Sequence, residues 1–171
     1  IYFLNGREHH LSQHGFARDR SFTLVTRNDR AAEFRLTADE ASKKLYPFDF
    51  DLRIKYEVAD NILRTSYEVR NPGKSLLYFS IGAHPAFRCP LLPTEQFEDY
   101  YILFEQRTFL QTILHQGLRS KEQRVLPLDG KRLKLTTTIF DQDALVFENG
   151  QVNEVSLISE KSGRGVKMSC G

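Results

Sequence analysis

An all-β fold, a large antiparallel β-sandwich with one short helix, is what this sequence predicts. Three observations carry that expectation. Apolar and polar residues alternate with a period of two in segment after segment, the pattern of strands buried on one face. Asn, Asp, Gly and Pro punctuate those segments at short intervals, as turns between antiparallel strands require. A helix-start signal occurs once. The 171 residues are enough for one β domain with a real core but thin for two, so residues 1–171 are read as a single domain.

Taken in order, Phe22–Thr26 and Glu33–Thr37 form a first pair of strands around the turn-forming Asn28-Asp29. Thr37-Ala38-Asp39-Glu40 has the spacing of a capping box, Ala41–Leu45 supplies helix formers and Pro47 stops the helix. Phe48–Val58 alternates over its whole length and turns at Asp60-Asn61 into Ile62–Val69, the clearest hairpin in the chain. Its wet face is expected to carry Asp49, Asp51, Arg53, Lys55 and Glu57, the other face being committed to a core. Asn71-Pro72-Gly73 is a turn, Leu76–Ile81 a more continuously apolar strand, and Arg88–Pro93 an irregular loop stiffened by its prolines. Strands follow at Tyr100–Phe104, Phe109–Leu114, Ala144–Phe147, Val155–Ile158 and Val166–Ser169, with Gly163-Arg164-Gly165 as a hairpin turn rather than a phosphate nest.

Composition excludes several function classes. Net charge is +2, with bases and acids interspersed, so no basic stripe exists to neutralise a run of phosphates and nucleic acid is not an expected partner. Cys89 and Cys170 offer neither a disulfide framework nor a zinc spacing, which fits a reducing cytoplasm. No apolar run approaches the roughly 20 residues that span a bilayer, and no leader pattern opens the chain, so a cytoplasmic protein with no membrane partner is expected. The first residue is not Met, and the strand-like Val166–Cys170 runs straight into the last, so the sequence reads as a piece of a longer chain.

Two histidines stand in glycine- and proline-marked turns, Gln13-His14-Gly15-Phe16-Ala17-Arg18-Asp19 and Ser80-Ile81-Gly82-Ala83-His84-Pro85-Ala86-Phe87. Imidazoles as a class exchange protons near neutral pH, and Pro85 fixes the backbone immediately after His84. Read locally, His84 is either a proton-transfer group or a core histidine satisfied by a carbonyl. His14, with Arg18 and Asp19, offers an imidazole, a guanidinium and a carboxylate to hydroxyl-rich ligands, or is an exposed loop with a solvated charge cluster. Asp143 opens the apolar Ala144–Phe147 and could accept from ligand hydroxyls, although the local pattern by itself favours a plain turn aspartate. No metal site is expected: His9 and His10 are adjacent and would point to opposite faces of a strand, and no Cys lies nearby. Ser80 lacks the strand-to-helix elbow of a nucleophilic serine.

The ordered motifs Gln13–Asp19, Tyr46-Pro47-Phe48-Asp49-Phe50 and Ile81–Phe87, with Phe97–Tyr101, Asp143–Phe147 and Gly163–Val166, resemble the aldose 1-epimerase family, in particular its LacX-type subgroup. The resemblance spans essentially the whole chain. It implies a galactose-mutarotase-like β-supersandwich, here incomplete, that interconverts the α and β anomers of a hexose without a cofactor. His84 corresponds to the family's general acid, His14 to the second imidazole on the sugar, and Asp143 to its sugar-binding aspartate; Arg18 is added as a substrate-binding candidate. The family's general base is a glutamate in a C-terminal Glu-Pro context. No such motif occurs here, and Glu148 and Glu160 lie in other contexts. The family's N-terminal Gly-Arg motif is absent as well. The expectation is therefore a parent enzyme and a piece that is nearly inactive by itself. A non-catalytic sugar or sugar-phosphate binding module, and an epimerase acting on a phosphorylated hexose through Arg18, Arg20 or Arg88, stay open as alternatives, as does the oligomeric state.

Overall fold

In the computed structural model of the protein, which describes residues 1–170 and leaves Gly171 outside the described residues, the alternating segments become antiparallel sheets. The chain divides into two units, the first ending at Gly82 and the second starting at Ala83.

In the first unit, β1 (Tyr2–Leu4) and β2 (Arg7–His9) form a small hairpin around Asn5 and Gly6, both of left-handed φ. β3 (Thr23–Arg27), β4 (Ala31–Thr37), β5 (Asp51–Ala59) and β6 (Ile62–Arg70) make a four-stranded sheet in spatial order β3-β4-β5-β6. The β5–β6 hairpin closes at the predicted Asp60-Asn61, with Asp60 at φ 51° and Ala59 paired to Ile62. Such a two-residue loop needs left-handed backbone, which Asp tolerates. Between β4 and β5 lies the helix α1 (Glu40–Leu45).

The capping pair of α1 differs from the expected one. Asp39 is the N-cap: its Oδ1 accepts from the Ser42 N–H at 2.6 Å, and its own N–H donates to Ser42 Oγ at 2.9 Å. Thr37 is unavailable because it is the last residue of β4, paired with Asp51. Donation from the Ser42 N–H, with smaller help from its hydroxyl and the Arg20 charge, holds the Asp39 carboxyl below its usual range.

One face of this sheet carries Leu36, Leu52, Ile54 and Val69, and at that end Phe16, Phe22, Tyr46 and Leu77 pack onto Leu36, Phe50 and Leu52. The opposite face carries charges, but its expected solvation fails at Asp51, which is only 7% exposed. Arg35 donates to both Asp51 oxygens, at 2.9 and 3.0 Å, and Arg53 donates to Glu33 at 2.9 Å, so charge pairing across β4 and β5 replaces water. The Arg35 guanidinium holds the Asp51 carboxyl below its ordinary range.

Leu76–Ile81, expected as a strand, has no regular structure. A strand requires a partner for its backbone groups, and none of the described strands pairs with this segment; Leu76, Tyr78, Phe79 and Ile81 are exposed. The Tyr46 hydroxyl donates to the Tyr78 carbonyl.

In the second unit, β7 (Tyr100–Phe104), β8 (Leu110–His115), β9 (Leu118–Val125), β10 (Arg132–Lys134), β11 (Val146–Phe147), β12 (Glu154–Ser159) and β13 (Gly165–Ser169) make two sheets, β10-β7-β12-β13 and β11-β8-β9. Phe104, Phe109, Leu126 and Leu133 form the core, with Phe147 and Val155 packed against them. Gly163 and Gly165 flank the β12–β13 turn, where Ser159 N–H donates to Arg164 O, as the hairpin reading requires. β1, β2, β9 and β10 are strands beyond those expected. β9, Leu-Arg-Ser-Lys-Glu-Gln-Arg-Val, has no apolar period and is a strand because its ladder with β8 satisfies its backbone.

Candidate functional site

Four side chains were singled out, and they fall in both units: His14 and Arg18 in the first, His84 and Asp143 in the second. His14 occupies a turn closed by the Gly15 N–H donating to Ser12 O at 3.0 Å and by Ser12 Oγ donating to Gly15 O at 2.8 Å. His14 and Gly15 both have left-handed backbones, φ 67° and 71°. That conformation costs a histidine of order 1 kcal/mol and persists only when its surroundings impose it. The imposition comes from Phe16, two residues on, whose ring lies 5.6 Å from Phe50 and 5.8 Å from Tyr46. His14 is exposed on this anchored turn. Arg18 follows in a short 3-10 turn (Ala17–Asp19), also exposed, with its Nε 3.8 Å from Asp19.

His84 lies in the irregular stretch 76–88 and is exposed rather than enclosed in hydrocarbon. Downstream, the same stretch is tied to the sheet by a buried polar cluster. The Leu91 N–H donates to the Tyr100 hydroxyl at 2.7 Å, that hydroxyl donates to Glu95, and Ser159 Oγ donates to the other Glu95 oxygen at 2.6 Å. Glu95, Tyr100 and Ser159 are all buried. Hydroxyl donors from Ser159, then Ser162 and Tyr100, hold the Glu95 carboxyl down at about 2, outweighing the cost of its burial. Burial, and next the Glu95 charge, push the Cys89 thiol up.

Asp143 also has a left-handed backbone, φ 79°, in a turn where its N–H donates to Phe140 O at 3.1 Å. Its Oδ1 accepts from the Ala144 N–H at 2.7 Å. It opens onto a cleft of about 590 Å³ in the second unit, of the size that small-molecule sites occupy. Gln111, Ile113, Leu114, Arg124 and Asp141 share the lining. The ladder of β8 with β9 shifts register between Thr112 and Leu114, and such a bulge breaks strict alternation, so that adjacent Ile113 and Leu114 both reach the cleft. On β8 between these lining residues, Thr112 Oγ1 donates to Glu148 at 2.9 Å, and Arg119 lies 2.6 Å from the same carboxylate.

Of the four singled-out side chains, the cleft therefore takes in Asp143; His84, His14 and Arg18 do not line it. Gln111 and Arg124 carried no motif and were not anticipated. Among the described residues, no three His, Cys, Asp or Glu side chains gather as a metal site would need, and no helix is long and apolar enough to cross a membrane.

Comparison with known proteins gives the arrangement its context. The sequence profile of the aldose 1-epimerase family matches residues 2–169. The plasmid form of protein LacX from Lactococcus lactis subsp. lactis is 33% identical over 164 residues, 92% of this chain and 54% of that protein. A galactose mutarotase related enzyme from Lactobacillus acidophilus superimposes with a TM-score of 0.89 at 31% identity, covering 97% of this chain and 56% of its own. A galactose mutarotase-like protein from Lactobacillus casei ATCC 334 gives 0.83 at 28% identity, over 98% of this chain and 58% of its own. The chain thus spans about half the length of the relatives it matches. Its antiparallel, nearly helix-free backbone is that of the galactose mutarotase-like β-sandwich.

Proposed function

The chain belongs to the aldose 1-epimerase family, as a LacX-type member, and on that footing we propose that the protein built on it interconverts the α and β anomers of a hexose by acid–base ring opening and reclosure. The family match over residues 2–169 carries this reading. The exposure of His14 and His84, and the left-handed turns that hold His14 and Asp143, support the choice of residues.

The reaction needs an acid and a base on opposite sides of the sugar. A base removes the proton from the anomeric hydroxyl, its electrons form the C1 carbonyl, and the bond from C1 to the ring oxygen breaks. That oxygen leaves as a hydroxyl only if a proton reaches it, and the protonated His84 imidazole supplies the proton. The open-chain aldehyde turns about the C1–C2 bond. His84, now neutral, takes the proton back from the same oxygen as it attacks the other carbonyl face, and the conjugate acid of the base reprotonates the anomeric oxygen. No net redox change occurs, so the chemistry requires no cofactor.

In this proposal His14 hydrogen-bonds the sugar, Asp143 accepts from its hydroxyls and Arg18 donates to it. The base is a carboxylate to which no residue of 1–171 is assigned, and residues 1–171 are proposed as a single domain. The substrate is a hexose and the protein works in the cytoplasm. Polarimetry on freshly dissolved α-galactose or α-glucose tests it: the full-length protein should speed the decay of optical rotation to its equilibrium value. Saturable sugar binding without any acceleration would instead establish a binding module.

A further inference from the structure

We infer that Arg124, held in place by Gln111, is a sugar-positioning residue that completes the polar wall facing Asp143; this rests on the reaction proposed above. Gln111 on β8 and Arg124 on β9 are direct cross-strand partners, so their side chains lie side by side on one face. The Gln111 side chain is buried, at 4% residue exposure, yet it lines the cleft, and its Oε1 accepts from Arg124 Nε at 3.2 Å. A guanidinium engaged at Nε is oriented as a plane, with its two terminal nitrogens still able to donate. Among the described residues no carboxylate forms an ion pair with Arg124, so the fork is not spent on an internal acid.

Asp143 supplies the complementary half. Its Oδ1 is taken by the Ala144 N–H, while Oδ2 lies towards the Gly117 turn of the β8–β9 hairpin, 3.9 Å from where a Cβ on Gly117 would stand. A hexose hydroxyl both donates and accepts. Adjacent hydroxyls can therefore accept from the Arg124 fork and donate to Asp143, a pairing that a flexible, singly charged lysine does not reproduce. Ile113 and Leu114, exposed to the cleft by the bulge, offer the apolar surface against which C–H faces of a sugar pack.

The test uses the full-length protein, D-galactose as probe, and two readouts: polarimetric kinetics and equilibrium binding by titration calorimetry. Arg124→Gln is expected to raise KM and Kd by about tenfold, with kcat within about twofold, as loss of a charged hydrogen bond made equally in ground and transition states requires. Arg124→Lys should shift both in the same direction, because it keeps the charge and loses the fork. Arg124→Gln takes this donor from the buried Gln111 Oε1, so a melting temperature lowered by a few degrees is expected, and both readouts are taken well below it. Unchanged KM and Kd in Arg124→Gln, or a fall in kcat at constant KM, overturns the inference. If His84→Gln retains full turnover while Arg124→Gln still loses sugar affinity, the inference stands and the catalytic reading beneath it falls.

Discussion

Truncating Phe109 to alanine should remove a large part of the stability of the second unit and loosen β11, the strand that follows the Asp143 turn. The ring is 2% exposed and lies 5.0 Å from Phe104 and 5.7 Å from Phe147, centroid to centroid, in the core that Leu126 and Leu133 complete. Deleting a buried phenylalanine costs about 3–5 kcal/mol, because the lost transfer energy is compounded by a cavity that rigid neighbours fill only partly. The two aromatic pairs account for roughly 0.5–1.5 kcal/mol each within that total. Set against the ~5–15 kcal/mol of a whole domain, this is a major fraction. With a urea dependence of about 2 kcal/mol per molar, the unfolding midpoint falls by roughly 2 M. Phe109→Leu, which keeps most of the volume, should lose less than half as much. Phe147 belongs to β11, four residues after Asp143, so Phe109→Ala should also weaken hexose binding. A midpoint shift equivalent to less than about 1 kcal/mol, the range of surface substitutions, would refute the core assignment.

Two further changes probe the same unit. Gly165→Ala would drive a Cβ into the Leu157 carbonyl and against Ile158, its register partner, so the β12–β13 hairpin must open, at about 1–3 kcal/mol; an unchanged melting temperature would contradict that geometry. Glu95 makes a pH prediction. Its carboxyl is held at about 2 against an ordinary 4.5, so the stability it contributes is complete above about 4.5 and is lost as pH falls from there towards 2. Urea midpoints of Glu95→Gln should therefore lie below the unsubstituted protein at pH 7 and converge with it as pH drops through that window; a constant offset from pH 7 to pH 2.5 would refute the ionised, hydroxyl-bound state.

Much of the first unit was legible because local signals and tertiary demands agree there. Asp60-Asn61 is a turn pair on either reading, and the alternation of β5 matches a sheet with one face on Leu36 and Phe50. The same alternation misled at Asp51: a period of two distinguishes faces but does not say that Arg35, sixteen residues earlier, stands beside that carboxylate. Leu76–Ile81 failed for a related reason. Apolar, strand-prone residues make a strand only where another strand satisfies their backbone, and that partner is not encoded locally. His14 and Asp143 were visible through their turn context, which the left-handed backbones explain. Gln111, Arg124 and Glu95 were not, because what makes them notable is a partner far along the chain. Arg124 meets Gln111 through the register of β8 with β9, and Glu95 meets Ser159 from 64 residues away.

The central claim is that the imidazole at position 84 passes a proton to and from the ring oxygen of a hexose. Polarimetry with full-length His84→Gln tests it most directly, alongside calorimetric binding of the same sugar. Loss of turnover by about 10²–10⁴-fold, with sugar affinity largely kept, is the predicted result; mutarotation at the unsubstituted rate in a protein of unchanged fold would contradict it.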